Sequence, residues 1–158
     1  MTQPSPTDPP TAGVVQFKRW TDNPDLPTPR YATAGAAGFD LQAAVDEPVT
    51  LRPGERRLIS TGFAVAVPPG FEMQVRPRSG LAAKSGIALV NSPGTVDCDY
   101  RGLVMVCMIN LGAEPFHIRR GDRIAQGVIC AAPQWALVET DSLPNTERGA
   151  GGFGSTGV

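Results

Sequence analysis

The stretch "RRLISTGFAVAVPPGFEMQVRPRSG" (residues 56–80) decides the fold, because it strings together short β-forming runs and divides them with turn residues. RRLIS, FAVAV and FEMQV are such runs, and Pro68-Pro69-Gly70 separates the last two. Further short β-forming runs follow the same pattern along the chain: VVQFKRW, FDLQAAV, VTL, IALV, LVMVCMI, FHI, RIAQGVICA and WALVE. Short strands punctuated in this way predict an all-β sandwich, jelly roll or barrel.

One segment, SGLAAKSG (residues 79–86), is predicted to be helical, for one or two turns that end before Gly86. Ser79 is the expected N-cap, because a serine hydroxyl can accept a hydrogen bond from a free N–H of the first turn.

The chain of 158 residues is expected to form one domain. Residues 1–13 are rich in proline and predict a disordered leader, residues 14–140 carry the β pattern, and residues 141–158 predict a flexible C-terminal arm. Charged residues make up 18% of the chain, which is low for a soluble monomer. We therefore expect a homo-oligomer.

Charge and cysteine content exclude several classes of partner. The formal net charge of −1 provides no basic field for a nucleic-acid polymer. Cys98, Cys107 and Cys130 show no CxxC spacing and predict buried thiols in a reducing compartment, and the single histidine, His117, argues against zinc. Without a signal sequence or an apolar run of about 20 residues, the expected location is the cytoplasm and no membrane is expected as a partner.

RPRSGLAAKSG (residues 76–86) is the first candidate for chemistry. The guanidinium of Arg78 and the hydroxyl of Ser79 would stand beside free N–H groups at the start of a helix, which is suited to an anion. The alternative is a capped surface helix with solvated arginines.

NSPGTVDCDYRG (residues 91–102) predicts a hairpin-like excursion between two apolar strands. The Asp97 carboxylate, held beside a phosphate ester, could deprotonate a water molecule as general base. The ring of Tyr100 could pack against a sugar and exclude an additional hydroxyl. The alternative is a turn in which Asp97 and Asp99 cap backbone amides.

Two further segments place polar side chains in apolar strands. In GDRIAQG (residues 121–127), Gln126 faces away from Ile124 or lies at a bulge near Gly127. In ATAGAAGFDLQA (residues 32–43), Asp40 needs a partner because a buried carboxylate is costly, and arginine and magnesium are equally good candidates.

The C-terminal RGAGGFGSTGV (residues 148–158) is too rich in glycine for a helix or strand. Its backbone N–H groups, with Arg148, Ser155 and Thr156, could wrap phosphates, and Phe153 could stack on a flat ring. The segment is thus either a lid that orders over a nucleotide or a disordered terminus.

Five blocks in this order resemble the trimeric deoxyuridine triphosphatases (dUTPases): AGAAGFDL, PRSGLA, GTVDCDYRG, GDRIAQ and RGAGGFGSTG. The resemblance covers residues 14–157. Two positions depart from the family pattern: Gly127 stands where a larger apolar residue is expected, and Leu103 stands where an acidic or polar one is common.

The resemblance implies a distorted jelly-roll-like β-barrel or sandwich with one short helix, assembled as a homotrimer with active sites at subunit interfaces and a mobile arm. It implies hydrolysis of dUTP to dUMP and pyrophosphate with Mg²⁺, which limits uracil in DNA and supplies dUMP for thymidylate synthesis. Asp97 would activate the water, and Asp40 would hold the metal through water. The residues implied in substrate binding are Arg78, Ser79, Gly80, Asn91, Gly94, Val96, Tyr100, Gln126, Arg148, Phe153, Gly154, Ser155 and Thr156.

Two other functions remain open from the sequence. A dCTP deaminase has a similar fold and handles a similar nucleotide, although Asp97 and the complete C-terminal block favour the hydrolase. A non-catalytic trimeric module that binds nucleotide would be expected to lack a catalytic residue, and none is missing.

Overall fold

The computed structural model describes residues 13–20 and 23–152. This part of the chain forms ten β-strands and one short helix, which confirms the predicted all-β class. In chain order the elements are β1 (Gln16–Arg19), β2 (Phe39–Gln42), β3 (Val49–Leu51), β4 (Arg56–Ala66), β5 (Phe71–Arg76), α1 (Ser79–Ser85), β6 (Ile87–Leu89), β7 (Gly94–Val96), β8 (Leu103–Asn110), β9 (Phe116–Ile118) and β10 (Arg123–Ala131).

Two four-stranded antiparallel sheets build the domain. The first sheet has the strand order β1-β4-β8-β6, the second has the order β2-β10-β5-β7, and β3 and β9 form a separate pair. The apolar core includes Leu41 and Met73 of the second sheet together with Val106 and Met108 of the first. Sequential strands therefore alternate between two sheets that face one another, as in a jelly-roll sandwich.

Alternation along β5 decides which side chains reach the surface of the second sheet. Met73 and Val75 are buried, whereas Glu72, Gln74 and Arg76 lie on the outer face and are half-buried. Full burial of a side chain of this size contributes about 1.5–3 kcal/mol, so a one-residue slip that exposed the inner row would be strongly unfavourable. The outer face is therefore fixed as the polar one.

The runs RRLIS and FAVAV form a single strand, β4, rather than two. The pairing of β4 with β8 is irregular between Ser60 and Ala64, and Gly62 lies there with φ +71°. A Cβ at Gly62 would stand 2.6 Å from the Asn23 side chain. Since Asn23 is fully buried and donates to the Gly62 carbonyl at 3.0 Å, glycine is required at this irregularity.

Two local predictions were wrong. Residues 132–152 contain no strand, so WALVE does not form one; Trp135 is 81% exposed and no neighbouring strand pairs with it. Arg78 rather than Ser79 is the N-cap of α1, and it makes no side-chain cap hydrogen bond. Of the two alternatives for Gln126, the bulge near Gly127 is not found, because Ile124 is buried, Gln126 is half-buried and the irregularity of β10 lies between Arg123 and Ala125.

The predicted excursion at residues 91–102 has a less local form than expected. Its flanking strands β6 and β8 pair with one another, but β7, inside it, pairs with β5 of the second sheet. The segment therefore bridges the two sheets. It was not predicted to contain a strand of its own.

Gly127 is explained by the ring of Phe39 on the adjacent strand. A Cβ at Gly127 would stand 2.5 Å from Cε2 and 2.7 Å from Cζ of that ring, and 3.2 Å from Sδ of Met73. Phe39 is 4% exposed, and its ring makes edge contacts with Phe17 and Tyr31. The space that a larger side chain at position 127 would take is filled from β2.

Cys98, Cys107 and Cys130 are free thiols and are half-buried rather than buried. No helix in the described part of the chain is both long enough and apolar enough to cross a membrane.

Candidate active site

Three of the predicted residues lie together at one end of the second sheet. Asp40 on β2 lies opposite Gln126 on β10, and Gln126 lies opposite Arg76 on β5. The chain then leaves β5 through Pro77 to Arg78, which precedes α1. Strand pairing thus brings together segments that are widely separated in sequence. We call the region around Asp40, Gln126 and Arg78 the arginine end of the sheet.

The Asp40 carboxylate contacts two arginines there. Oδ1 lies 3.0 Å from Nε of Arg78, and Oδ2 lies 3.3 Å from Nη1 of Arg123. Arg78 also donates through Nη1 to the Arg123 carbonyl at 3.2 Å. Of the two partners considered for Asp40, the structure has arginine. Two guanidinium groups around one carboxylate leave a net positive charge, which favours an anion.

The side chain of Gln126 is held from both sides. Its Nε2 donates to the Pro77 carbonyl at 3.0 Å. Its Oε1 lies against Gly38, where a Cβ would approach to 2.9 Å. The glycine next to Phe39 therefore leaves the space that the Gln126 amide occupies, and the amide is fixed beside the turn that carries Arg78.

Ser79 and Gly80 are exposed at the start of α1, next to the arginine end. Arg78 has extended backbone, with φ −95° and ψ 124°, and directs the chain into this short helix. Gly86 ends the helix in the left-handed conformation, with φ +65°, as its position in SGLAAKSG predicted.

The segment that links β6 to β8 holds the second group of predicted residues. The Asn91 side chain lies against Gly94, where a Cβ would be 2.9 Å from Nδ2. Val96 is 8% exposed and belongs to the core, so only its backbone is available to a ligand. The Ser92–Pro93 peptide bond is cis.

Asp97 and Tyr100 lie in the turn that follows β7. The Tyr100 amide donates to the Asp97 carbonyl at 3.1 Å, and the Tyr100 hydroxyl donates to the Leu103 carbonyl at 3.0 Å. The Asp97 and Asp99 carboxylates accept no hydrogen bond from the described residues, so the capping alternative is not found. Asp97 is exposed, and its carboxylate has no hydrogen-bond partner among the described residues.

The Asp97 carboxylate and the arginine end lie at opposite ends of the same sheet. Val96 pairs with Met73, so Asp97 follows beside the start of β5, and it lines a cleft with Glu72 and Ala132. From Glu72 to Arg76 the strand advances about 13 Å at about 3.3 Å per residue. One chain alone therefore does not bring Asp97 to Arg78.

The C-terminal residues make local contacts. Arg148 donates through Nε to the Gly151 carbonyl at 2.8 Å, and the Gly151 amide donates back to the Arg148 carbonyl at 3.1 Å. Before this turn, large apolar side chains are exposed to solvent: Trp135, Leu137, Val138 and Leu143. Phe153, Gly154, Ser155 and Thr156 lie outside the described residues.

A metal has few protein ligands available. Among residues 13–20 and 23–152, no three His, Cys, Asp or Glu side chains come together. Asp40 is the carboxylate at the arginine end, and both of its oxygens contact guanidinium groups. A carboxylate oxygen is a donor that suits Mg²⁺, so Asp40 fits as the described residue that could hold this ion.

The two clear pKa shifts lie away from both groups. A hydrogen bond from Arg120 lowers the pKa of Asp25, and the Arg52 backbone N–H followed by Arg57 lowers that of Glu55. Asp25 is exposed and Glu55 is half-buried, and neither belongs to the two groups of candidate residues, so these shifts do not bear on the candidate site.

Sequence reasoning missed two residues of the arginine end. Arg123 lies in the GDRIAQ block, and the sequence did not predict its contact with Asp40. The sequence also gave no sign that Gly38 makes the space for Gln126. The unpaired acid in an apolar strand was the available signal for Arg123, because such an acid requires a cation.

A family model described as dUTPase matches residues 25–157. The chain is 67% identical over 151 residues to the deoxyuridine 5'-triphosphate nucleotidohydrolase of Caulobacter vibrioides, which covers 94% of this chain and 97% of that protein. The enzyme of the same name from Methylocella silvestris is 56% identical over 147 residues and covers 92% of each. The dUTPase of Staphylococcus bacteriophage 80alpha, solved with dUPNHPP, superposes with a TM-score of 0.82 at 26% identity, over 93% of this chain and 100% of that one. The chain belongs to the dUTPase family.

Proposed function

We propose that this protein hydrolyses dUTP to dUMP and pyrophosphate, and so limits the entry of uracil into DNA and supplies dUMP. The names of relatives at 67% and 56% identity support this activity. The phage dUTPase of the same fold, solved with dUPNHPP, supports a nucleotide with a phosphate chain as substrate. The net positive charge around Asp40 is the part of this chain suited to that phosphate chain.

The observation that carries the site model is the separation of Asp97 from the arginine end. A general base must come within hydrogen-bond reach of its water, and within one chain these groups stand at opposite ends of β5. We infer that the arginine end of one subunit meets the Asp97 turn of another in a homotrimer with three shared sites. The low charge content and the exposed apolar side chains of residues 135–143 support association.

In the proposed reaction, Arg78, Ser79, Gly80 and Gln126 hold the phosphate chain in one conformation. Asp97 accepts a proton from the attacking water. A new bond forms between that water oxygen and the α-phosphorus, while the bond from this phosphorus to the oxygen bridging to the β-phosphate breaks, and pyrophosphate leaves. General base catalysis of this kind contributes roughly 10²–10⁴-fold.

Asp40 would hold Mg²⁺ through bound water at the edge of the phosphate chain, and the ion when bound neutralises phosphate charge. Its contact with two arginines gives Asp40 a second role, which is to keep Arg78 in place.

Selectivity for the nucleoside would come from the turn after β6. Asn91 and the backbone of Gly94 and Val96 would read uracil. The hydroxyl of Tyr100 is bound to the chain itself, so its ring is the part that can lie under the deoxyribose and exclude a 2′-hydroxyl. A site that pairs a polar base edge can discriminate by about 10⁴-fold or more.

The C-terminal arm would close this site. We propose that Phe153 and Gly154 cover the uracil, and that Arg148, Ser155 and Thr156 contact the terminal phosphate.

The cytoplasm is the proposed location of the protein.

The test of the base is Asp97→Asn, with Asp99→Asn as the matched control two residues away. Asp97→Asn should bind a non-hydrolysable dUTP analogue but lose roughly 10²–10⁴-fold in turnover. Asp99→Asn should retain activity. Near-normal turnover by Asp97→Asn would remove it from this role, and ammonia from dCTP in place of pyrophosphate from dUTP would overturn the whole function.

Mixing two inactive variants tests the shared site. Subunits carrying Asp97→Asn and subunits carrying Arg78→Gln are unfolded together, refolded at equal amounts and assayed. If each site takes its arginine end from one subunit and its Asp97 from another, about a quarter of the sites are intact after random assembly. A site built within one chain would give no recovered activity.

A further inference from the structure

We propose that Arg123 is a positioning residue for phosphate binding: it clamps the Asp40 carboxylate and thereby fixes the guanidinium of Arg78. This inference rests on the proposed function, since it names the residue that orders the phosphate-binding arginine. Arg123 would not contact the substrate itself, because it acts on the substrate through Asp40 and Arg78.

The first support is a register shift that brings Arg123 to the correct face. Gln126 pairs with Asp40 and Ala125 pairs with Leu41, so a regular ladder would set Arg123 opposite position 43, whose side chain points into the core. The shift between Arg123 and Ala125 sets Arg123 opposite Gln42 instead. Asp40 and position 42 lie on the same face of β2, so one inserted residue turns the Arg123 guanidinium toward the carboxylate.

The second support is the way in which the cluster divides its contacts. Each oxygen of Asp40 contacts a different guanidinium, Oδ1 that of Arg78 and Oδ2 that of Arg123. A carboxylate held through one oxygen can still turn about its last side-chain bond, because that torsion is broad. Contacts to both oxygens fix its plane, and with it the direction of Nε of Arg78.

Arg78 is fixed at a second point by Arg123. Its Nη1 donates to the Arg123 carbonyl at 3.2 Å, while its Nε contacts Asp40. The remaining N–H groups of the guanidinium are left for a phosphate oxygen. Arg78 and Asp40 are 26% and 29% exposed, whereas Arg123 is 58% exposed, so Arg123 is the most solvent-accessible of the three side chains.

The experiment compares Arg123→Gln and Arg123→Lys with Arg119→Gln, an exposed arginine four positions earlier that provides the matched loss of charge. Affinity is measured for dUMP and for a non-hydrolysable dUTP analogue at fixed Mg²⁺. Arg123→Gln should weaken the analogue about tenfold, the loss of one charge-assisted hydrogen bond, and leave dUMP unchanged. Arg123→Lys keeps the cation and should recover part of the affinity, and Arg119→Gln should match the parent protein.

A double-mutant cycle with Asp40→Asn separates positioning from direct contact. If Arg123 acts through Asp40, the double variant binds the analogue no more weakly than Asp40→Asn alone. Additive losses would overturn the proposal, because Arg123 would then touch the phosphates itself. Unchanged analogue affinity in Arg123→Gln, or equal losses for dUMP and the analogue, would also overturn it. A parent protein that fails to hydrolyse dUTP would refute the proposed function instead.

Discussion

Gly127→Ala is the substitution whose cost follows most directly from the packing of this protein. The added Cβ would stand 2.5 Å from Cε2 of the Phe39 ring and 3.2 Å from Sδ of Met73. Neither neighbour has room to move away, since Phe39 is 4% exposed and Met73 is fully buried. Overpacking of this kind costs about 1–3 kcal/mol, so we expect the free energy of unfolding to fall by that amount.

Shortening the ring should restore part of this loss. Phe39→Leu removes the ring atoms that the new Cβ would meet, although by itself it leaves a gap and loses the edge contact with Phe17. The free energy of unfolding should therefore fall less in the double variant than the two single losses add up to, with a coupling of about 1–2 kcal/mol. Because position 127 adjoins Gln126 and Phe39 adjoins Asp40, we also expect dUTP hydrolysis to fall in the single variants and to recover in part in the double variant.

The assay is urea unfolding at one fixed protomer concentration, since association contributes to apparent stability. Gly35→Ala is the control, because a Cβ there has no neighbour within 4 Å. It should change stability little. If Gly127→Ala is as stable as the parent protein, or if the two single losses simply add, the ring does not fill the space of the missing side chain.

A deletion and substitutions at two positions test separate parts of the structure. Deleting residues 148–158 should leave a folded protein of unchanged oligomeric state by circular dichroism and sedimentation, with impaired dUTP hydrolysis; unfolding would make the arm structural. Because the Tyr100 hydroxyl donates to Leu103, Tyr100→Phe should keep the preference for dUTP over UTP in competition assays and Tyr100→Ala should relax it, and equal effects would refute the role of the ring. The pKa of Asp25 is lowered by the hydrogen bond from Arg120, so this pair stabilises the fold above the usual aspartate range and the stability is lost as the pH falls below about 4. Asp25→Asn should flatten that part of the acid unfolding curve, and an unchanged curve would show that the pair adds nothing.

Strand positions were predicted well where the signal was local. VTL and FHI became β3 and β9 residue for residue, and FEMQV became most of β5, because alternating apolar residues bounded by turn residues carry their own pattern. WALVE is also a short β-forming run but forms no strand, since a strand also needs a partner to pair with. β7 was missed because its three residues lie among turn residues and gain their pairing from β5.

The sequence by itself determined the fold class and the family, because these depend on residue type, short-range periodicity and the order of motifs. The tertiary structure alone decided that Arg78 and Arg123 share the Asp40 carboxylate, that Phe39 fills the space beside Gly127, and that Asp97 stands at the far end of its sheet. Each of these depends on the register between strands distant in the chain. A one-residue shift in that register changes which side chains meet, and no local pattern records it.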